Sequence, residues 1–286
     1  MRKEPFHHSR RAFGLAAVLL ALGAVLLALG AVMPATAADD LLDTARARGT
    51  LRIALEGTYP PFNFRDPKTG QLAGYDVEVA QAVAARLGLK PAFVTTEWAA
   101  ILAGLAAGKY DVIVSQVGIT DKRQQAFDFS RPYTYSSPQL IVRRNEQAHY
   151  ASLEDLKGKK LGVGQGSVFE QQAKRVPGIE VRSYPAAPEN LQDLAFGRVD
   201  AALNDSLMVA YLLKNSKLPI RAGARVGQVE RMGIAMRKGN PKLKAAIDGA
   251  LGAMEADGSL KAISTKWFGS DASRPAPAVP AAPAAR

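Results

Sequence analysis

Leu51-Arg52-Ile53-Ala54-Leu55 opens the stretch that decides the fold, and Asp111-Val112-Ile113-Val114-Ser115 closes it. The first run is short and β-prone, and it is ended by Glu56-Gly57 and by Pro60-Pro61, a pair that continues neither a ladder nor a helix. It reads as a strand followed by a loop. From Asp76 to Leu87 the apolar residues Val77, Val79, Ala80, Val83, Ala84 and Leu87 recur at mostly helical spacing, with Asp76 placed to cap the helix and Gly88 to stop it. Pro91-Ala92-Phe93-Val94-Thr95 follows as a strand, and a second helix spans about Ala99 to Ala107 before Gly108. Asp111 to Ser115 is then a nearly continuous apolar run, the pattern of a parallel strand covered on both faces. The order β, α, β, α, β predicts a parallel sheet with right-handed crossovers, and ligands of such sheets sit beyond the carboxyl ends of the strands, here the loops after Leu55 and Ser115.

The same grammar restarts further on: strand Lys160 to Val163, a Gly-rich turn, a helix from about Phe169, strand Glu180 to Tyr184, a helix about Asn190 to Phe196, and strand Ala201 to Leu203. A second βαβ lobe follows from it. Ser136-Ser137-Pro138 and the β-prone Gln139 to Val142 read as one crossing between the lobes. A strand at Met232 to Met236 precedes helical stretches at Leu243 to Ala256 and Ser259 to Trp267, which have no sheet of their own unless the chain returns to the first lobe. The expected architecture is α/β in two lobes, each a mainly parallel sheet flanked by helices and joined by two hinge crossings. The lobes are 38–135 plus 232–269, and 136–231.

The two ends carry different signals. Arg2, Lys3, Arg10 and Arg11 precede an almost uncharged apolar run from Ala12 to Met33, followed by Ala35-Thr36-Ala37. That is the form of a signal peptide, residues 1–37, cleaved after Ala37. A retained anchor is the alternative, since about 20 apolar residues span a bilayer. Ser9-Arg10-Arg11-Ala12-Phe13 also resembles a twin-arginine export signal. At the far end, 270–286 is nearly all Ala and Pro, a composition short of large apolar groups, and is expected to be a disordered tail.

Composition excludes several classes. With no cysteine there are no disulfides, thiolate metal sites or cysteine nucleophiles. The formal charge is +11, and loss of the leader takes four Lys/Arg and one Glu with it, leaving +8. Those charges are scattered among acidic residues with no arginine-rich stripe, so a solvated cationic surface is expected and not nucleic-acid binding. His7 and His8 fall in the leader and His149 beside Tyr150, so no histidine general base is evident, and no G-x-S-x-G, H-E-x-x-H or P-loop pattern is present. No metal, cofactor or catalytic residue is expected.

Ordered along the chain stand Leu55-Glu56-Gly57-Thr58-Tyr59-Pro60-Pro61-Phe62, Gly74-Tyr75-Asp76-Val77-Glu78, Ile119-Thr120-Asp121-Lys122-Arg123, Phe127-Asp128-Phe129-Ser130, Leu156-Lys157-Gly158-Lys159-Lys160, Gly197-Arg198-Val199-Asp200-Ala201, Asp257-Gly258-Ser259-Leu260 and Lys266-Trp267-Phe268-Gly269. Together these resemble the bacterial amino-acid-binding proteins of ABC importers, solute-binding protein family 3. The loop Glu56 to Phe62 with Trp98 and Ser115-Gln116-Val117 is most similar to the cystine-binding branch. The resemblance implies a non-enzymatic, monomeric periplasmic protein that captures a free polar amino acid, cystine or cysteine first, between its lobes and delivers it to an ABC transporter permease. Lacking a cysteine for lipid attachment, such a protein is retained where a second membrane holds it.

A free amino acid presents a carboxylate beside an ammonium, so a receptor needs a cation and an anion at fixed separation. Arg123 and Asp205 are the candidates. A guanidinium offers a planar fork to a carboxylate and stays charged when desolvated. Read alone, Arg123 is a surface arginine beside Lys122 and Asp121, and the family motif reverses that reading. Asp205 ends the apolar strand Ala201-Ala202-Leu203 and also stands where it would cap a helix from Ser206. With the pair divided between lobes, ligand completes it only in a closed form. By resemblance, Tyr59, Phe62 and Trp98 wall the pocket, Gln116 and Gly118 offer backbone groups, and the turn through Gly164, Ser167 and Val168 brings N–H groups to the carboxylate. Gly118 and Val168 stand where hydroxyl residues are common in the family and can make only main-chain contacts. The alternative on the same scaffold is an exported cyclohexadienyl (prephenate/arogenate) dehydratase, with Asp205 as acid or base. A receptor sensor domain would need a membrane span or a cytoplasmic module.

Overall fold

The computed structural model describes residues 39–275, so the expected leader and residues 276–286 lie outside the described residues. After a first helix α1 (Leu41–Arg48), the strand β1 (Thr50–Leu55) runs through the middle of a five-stranded sheet, flanked in parallel by β5 (Lys90–Thr95) and β6 (Val112–Ile113). Ile53, Ala54, Leu55 and Ile113 are fully buried there, which is the outcome their continuous apolar runs require. The helix α2 (Tyr75–Arg86) turns Val79, Ala80 and Val83 into the same core. Between β1 and α2 a small antiparallel sheet holds β2 (Thr58–Tyr59), β3 (Asn63–Arg65) and β4 (Leu72–Ala73). The helix α3 (Trp98–Ala106) follows β5, and the short α4 (Asp121–Ala126) follows β6.

Two long strands complete this sheet. β7 (Phe127–Ser136) and, from much later in the chain, β13 (Glu230–Arg237) pair antiparallel along their lengths, and β13 also pairs with β6, so that β13 runs against the direction of β6 and β7 along it. β7 was not expected from the sequence as a strand of the first lobe. Immediately after it, β8 (Pro138–Arg143) lies in a second five-stranded sheet, ordered β10-β9-β11-β8-β12. Its members are β9 (Lys160–Gly164), β10 (Glu180–Tyr184), β11 (Ala201–Asp205) and β12 (Ile220–Arg225), with helices α5 (Val168–Lys174), α6 (Ala187–Ala195) and α7 (Ser206–Asn215) between them. β9, β10 and β11 are parallel, and β8 and β12 are antiparallel to their neighbours. The chain passes between sheets at Ser137 and again between Arg225 and Glu230. Each sheet is therefore mixed, because one of its two crossing strands, β13 in the first and β8 in the second, runs against the βαβ core.

The last helices, α8 (Pro241–Ala256) and α9 (Ser259–Phe268), close over the first sheet: α8 lies on β7 and α9 on α2. Leu243, Ile247, Leu251, Met254 and Leu260 are fully buried in that contact. The described start of the expected tail is packed. Ala272 accepts from Tyr135 N at 2.8 Å, donates to Ser264 Oγ at 2.7 Å, and is buried with Ser273. Ser264, buried on the inner face of α9, supplies the anchor that apolar bulk does not.

Asp76 does not cap α2 as the sequence suggested. The helix begins one residue earlier, and its first N–H groups are taken by the loop before it: Tyr75 N donates to Pro61 O at 3.0 Å and Asp76 N to Phe62 O at 2.7 Å. That approach needs Gly74, whose φ is 126° and where a Cβ would stand 2.3 Å from Phe62 O. The loop so laid down turns Asp76 inward, where it is fully buried.

Candidate functional site

The cleft between the two sheets has a volume of about 550 Å³, part of it open to solvent. Its lining comes from the carboxyl ends of β1, β6, β9 and β11, where the strand order places it. The first lobe contributes Glu56 and Tyr59, Trp98 at the start of α3, Ser115, Gln116 and Gly118 after β6, and Arg123 on α4. The second contributes Gly164, Ser167, Val168 and Phe169 around the start of α5, Ala186 and Ala187, and Asn204 with Asp205 at the end of β11, while Met232 of β13 closes one side.

Arg123 is 6% exposed. Its Nη1 donates to Gly118 O at 2.9 Å and its Nη2 crosses to the other lobe, donating to Gly166 O at 3.0 Å. The guanidinium lies 5.6 Å from the Trp98 ring centroid, a cation–π distance. Burial lowers its pKa to about 10, with Glu230 acting in the opposite direction, so it remains a cation at neutral pH. Both hydrogen-bond acceptors are neutral carbonyls, so its charge is not matched there. The reading of Arg123 as a solvated surface residue is thereby set aside.

Asp205 is the N-cap of α7, its Oδ1 accepting from Leu207 N at 2.8 Å and Met208 N at 3.4 Å, while Oδ2 accepts from Ser136 Oγ at 2.5 Å. Cap and cleft wall are the same carboxylate. Burial raises its pKa to about 6 against the pull of those hydrogen bonds. Glu56, which the sequence reading placed in the loop motif but not among the site residues, is 9% exposed on the opposite lobe. Burial first, then Asp76 and Glu189, push its pKa up to about 8. Asn204 was also missed: its Oδ1 accepts from the Tyr59 hydroxyl at 2.7 Å and from Asp205 N at 2.8 Å. Each stands directly beyond or at the carboxyl end of an apolar strand, which was the available signal.

Of the residues expected at the site, Tyr59, Trp98, Gln116, Gly118, Arg123, Gly164, Ser167, Val168 and Asp205 meet at the cleft. Phe62 does not. It is fully buried with its ring 5.6 Å from Phe268 and 5.0 Å from Tyr59, because the loop that seats α2 presses it onto α9. The Ser167 hydroxyl is engaged as the N-cap of α5, accepting from Glu170 N at 3.0 Å, and Ser167 N donates to Gly164 O at 3.1 Å. Val168 reaches across to Gly118, where a Cβ would stand 2.9 Å from Val168 Cγ1. Behind the cleft, Asp76 accepts from Asn63, Gln116 and Tyr133. Burial raises its pKa to about 6, and those bonds oppose the rise.

Two α/β lobes, two crossings and a buried guanidinium facing a carboxylate over the cleft define a binding protein of the hinge type. Residues 51–270 match the family of bacterial extracellular solute-binding proteins, family 3, and the chain belongs to that family. It is 40% identical over 239 residues to the L-cystine-binding protein TcyJ of Escherichia coli (strain K12), covering 83% of this chain and 90% of TcyJ. Among solved structures it is similar to an ancestral arginine-binding protein bound to glutamine, at 40% identity with a TM-score of 0.74, covering 78% of this chain and 99% of that one. It is also similar to the ancestral amino acid-binding protein AncCDT-1, a precursor of cyclohexadienyl dehydratase, at 35% identity with a TM-score of 0.74, covering 80% and 99%.

Proposed function

We propose that this protein captures L-cystine in the cleft between its lobes and delivers it to the permease of an ABC transporter, acting as a monomer in the periplasm after removal of an N-terminal leader. The observation that carries it is Arg123, a buried cation whose hydrogen-bond acceptors are neutral carbonyls, with the Asp205 carboxylate in the opposite lobe. The ligand's carboxylate pairs with the first and its ammonium with the second, each joining two opposite charges across a hydrogen bond. Tyr59 and Trp98 wall the cleft, and backbone groups of Gln116, Gly118 and Val168 complete it.

One guanidinium and two carboxylic groups line the cleft, and Glu56, protonated at neutral pH in the empty cleft, ionises only where a ligand sets a second cation beside it. L-cystine brings a second ammonium. Charge count sets L-cystine and L-arginine ahead of L-cysteine and L-glutamine, with L-arginine competing without the second carboxylate that L-cystine must keep solvated. The similarity to TcyJ favours L-cystine of the two. Calorimetry with L-cystine, L-cysteine, L-arginine and L-glutamine decides the order, and failure of all four to bind removes the proposal.

A second reading, an exported cyclohexadienyl dehydratase, draws on one observation: with its pKa near 8, Glu56 holds a proton at neutral pH inside the cleft and has the form of a general acid. Turnover of prephenate or arogenate would establish it. The absence of turnover alongside amino-acid binding dismisses it.

A further inference from the structure

Asp76 does not line the cleft, yet its carboxylate gathers the polar groups that stand behind two of its walls. Oδ1 accepts from Gln116 Nε2 at 2.6 Å and from the Tyr133 hydroxyl at 2.9 Å, and Oδ2 accepts from Asn63 Nδ2 at 2.8 Å. Each donor holds something further. Gln116 lines the cleft with φ of 51°, a left-handed conformation that a residue with a side chain keeps only where its surroundings over-determine it. Its N–H donates to the Tyr133 hydroxyl at 3.2 Å, so Gln116 is tied to Asp76 by its side chain and, through Tyr133, by its main chain. The Asn63 Oδ1 accepts from Glu56 N at 3.1 Å and Gly57 N at 2.9 Å.

We propose that Asp76 is a positioning residue for ligand binding, its ionised carboxylate fixing the amides of Gln116 and Asn63 and through them the Gln116 backbone and the Glu56 wall. The proposal rests on the reading of the cleft as the ligand site. Three donors converge on Asp76, and only a carboxylate offers acceptors on both of its oxygens. The asparagine of Asp76→Asn has the same shape but turns an N–H₂ toward one of those donors. Facing Asn63, it can be accommodated only if the Asn63 amide turns over and withdraws its oxygen from Glu56 N and Gly57 N. Facing Gln116, it is accommodated if that amide turns to present Oε1, which is otherwise buried without a hydrogen-bond partner. Either rearrangement alters a cleft wall without creating a cavity under α2.

The test compares wild type, Asp76→Asn, Gln116→Met and the double variant of the purified protein by ¹⁵N NMR, thermal unfolding and calorimetry with L-cystine. Amide resonances of Gln116, or of Glu56 and Gly57, shift in Asp76→Asn while those of β9 in the other lobe stay in place. L-cystine affinity falls by about 10- to 100-fold, the scale of leaving a buried donor unpaired. In the Gln116→Met background the added loss is smaller, since one of the opposed donors is gone. Unmoved amides with unchanged affinity overturn the proposal, as does an affinity loss that is fully additive with Gln116→Met and paralleled only by a lower melting temperature. Should Asp76→Asn not fold, Gln116→Met carries the test: through the shared carboxylate it shifts the Glu56 and Gly57 amides, and their constancy overturns the proposal. Should wild type not bind L-cystine, the proposed ligand fails and the amide shifts still decide the role of Asp76.

Discussion

The Tyr59 hydroxyl donates to Asn204 Oδ1 at 2.7 Å, tying the loop after β1 in one lobe to the end of β11 in the other. Asn204 Oδ1 also accepts from Asp205 N, so the bond spans the cleft beside the carboxylate assigned to the ligand's ammonium. A contact of this kind exists only when the lobes are closed, and it contributes to affinity without touching ligand.

Tyr59→Phe is therefore expected to weaken L-cystine binding by about 2- to 12-fold, the worth of one neutral hydrogen bond. The ring and its contact with Phe62 remain, and Asn204 Oδ1 keeps Asp205 N, so no buried acceptor is stranded. Calorimetry reads the affinity, and small-angle scattering reads a shift toward the open form. Equal affinity in the two proteins would show that this bond is replaced by water at no cost.

Arg123→Ala removes the cleft cation. Leaving a ligand carboxylate buried without its partner costs about 2–5 kcal/mol, or roughly 30- to several-thousand-fold in affinity. Arg123→Lys recovers part, because an ammonium cannot reproduce two parallel hydrogen bonds. Arg221→Ala is the control: Arg221 lies on β12 and donates to Glu146 O at 3.0 Å, away from the cleft. Ligand-free melting temperature stays near that of wild type while ligand-induced stabilisation shrinks. Wild-type affinity in Arg123→Ala would refute the carboxylate assignment.

Acidity acts in opposite senses on the empty and filled protein. Asp76 and Asp205 hold protons up to about pH 6 and Glu56 up to about 8, all raised from ordinary values of 3.8, 3.8 and 4.5. Between about pH 4 and 8 the folded protein thus binds more protons than the unfolded chain. The stability these groups contribute is fully present below the unfolded values and is lost as pH rises through 6 and then 8. The ligand-free melting temperature is expected to fall by roughly 10 °C or more from pH 5 to pH 8. Ligand ammonium groups favour the ionised carboxylates, so L-cystine binding releases protons and tightens over the same rise. Calorimetry at pH 7 in phosphate and in Tris should give different apparent enthalpies, and identical values would show that Glu56 is not engaged by a cation.

Local pattern carried most of the fold. Glu180–Tyr184 has the boundaries its composition suggested, and β1, α2 and α8 begin within two residues of their sequence-based starts. β7 escaped because Asp128, Ser130, Arg131 and Pro132 interrupt its apolar content, although Phe127, Phe129, Tyr133 and Tyr135 keep the alternation of a strand. Arg123 and Asp205 were reached through motif and strand-end position, whereas Phe62, assigned to the cleft by resemblance, is packed in the core. Asn204 stood at an expected strand end without a motif role, and Glu56, though inside the quoted loop motif, was given no site role.

What the sequence determined by itself is the order of the βαβ strands and helices in each lobe and the side of each sheet on which a ligand sits. Those follow from periodicity and from the rule that parallel strands leave their carboxyl ends on one side. Tertiary structure alone decided which charges are matched. Asp76 looks like a helix cap in the chain and becomes a buried acceptor only because Asn63, Gln116 and Tyr133, far apart in sequence, converge on it. The energy of a charge depends on its burial and on donors within hydrogen-bond distance, and neither is a property of the residues beside it in the chain.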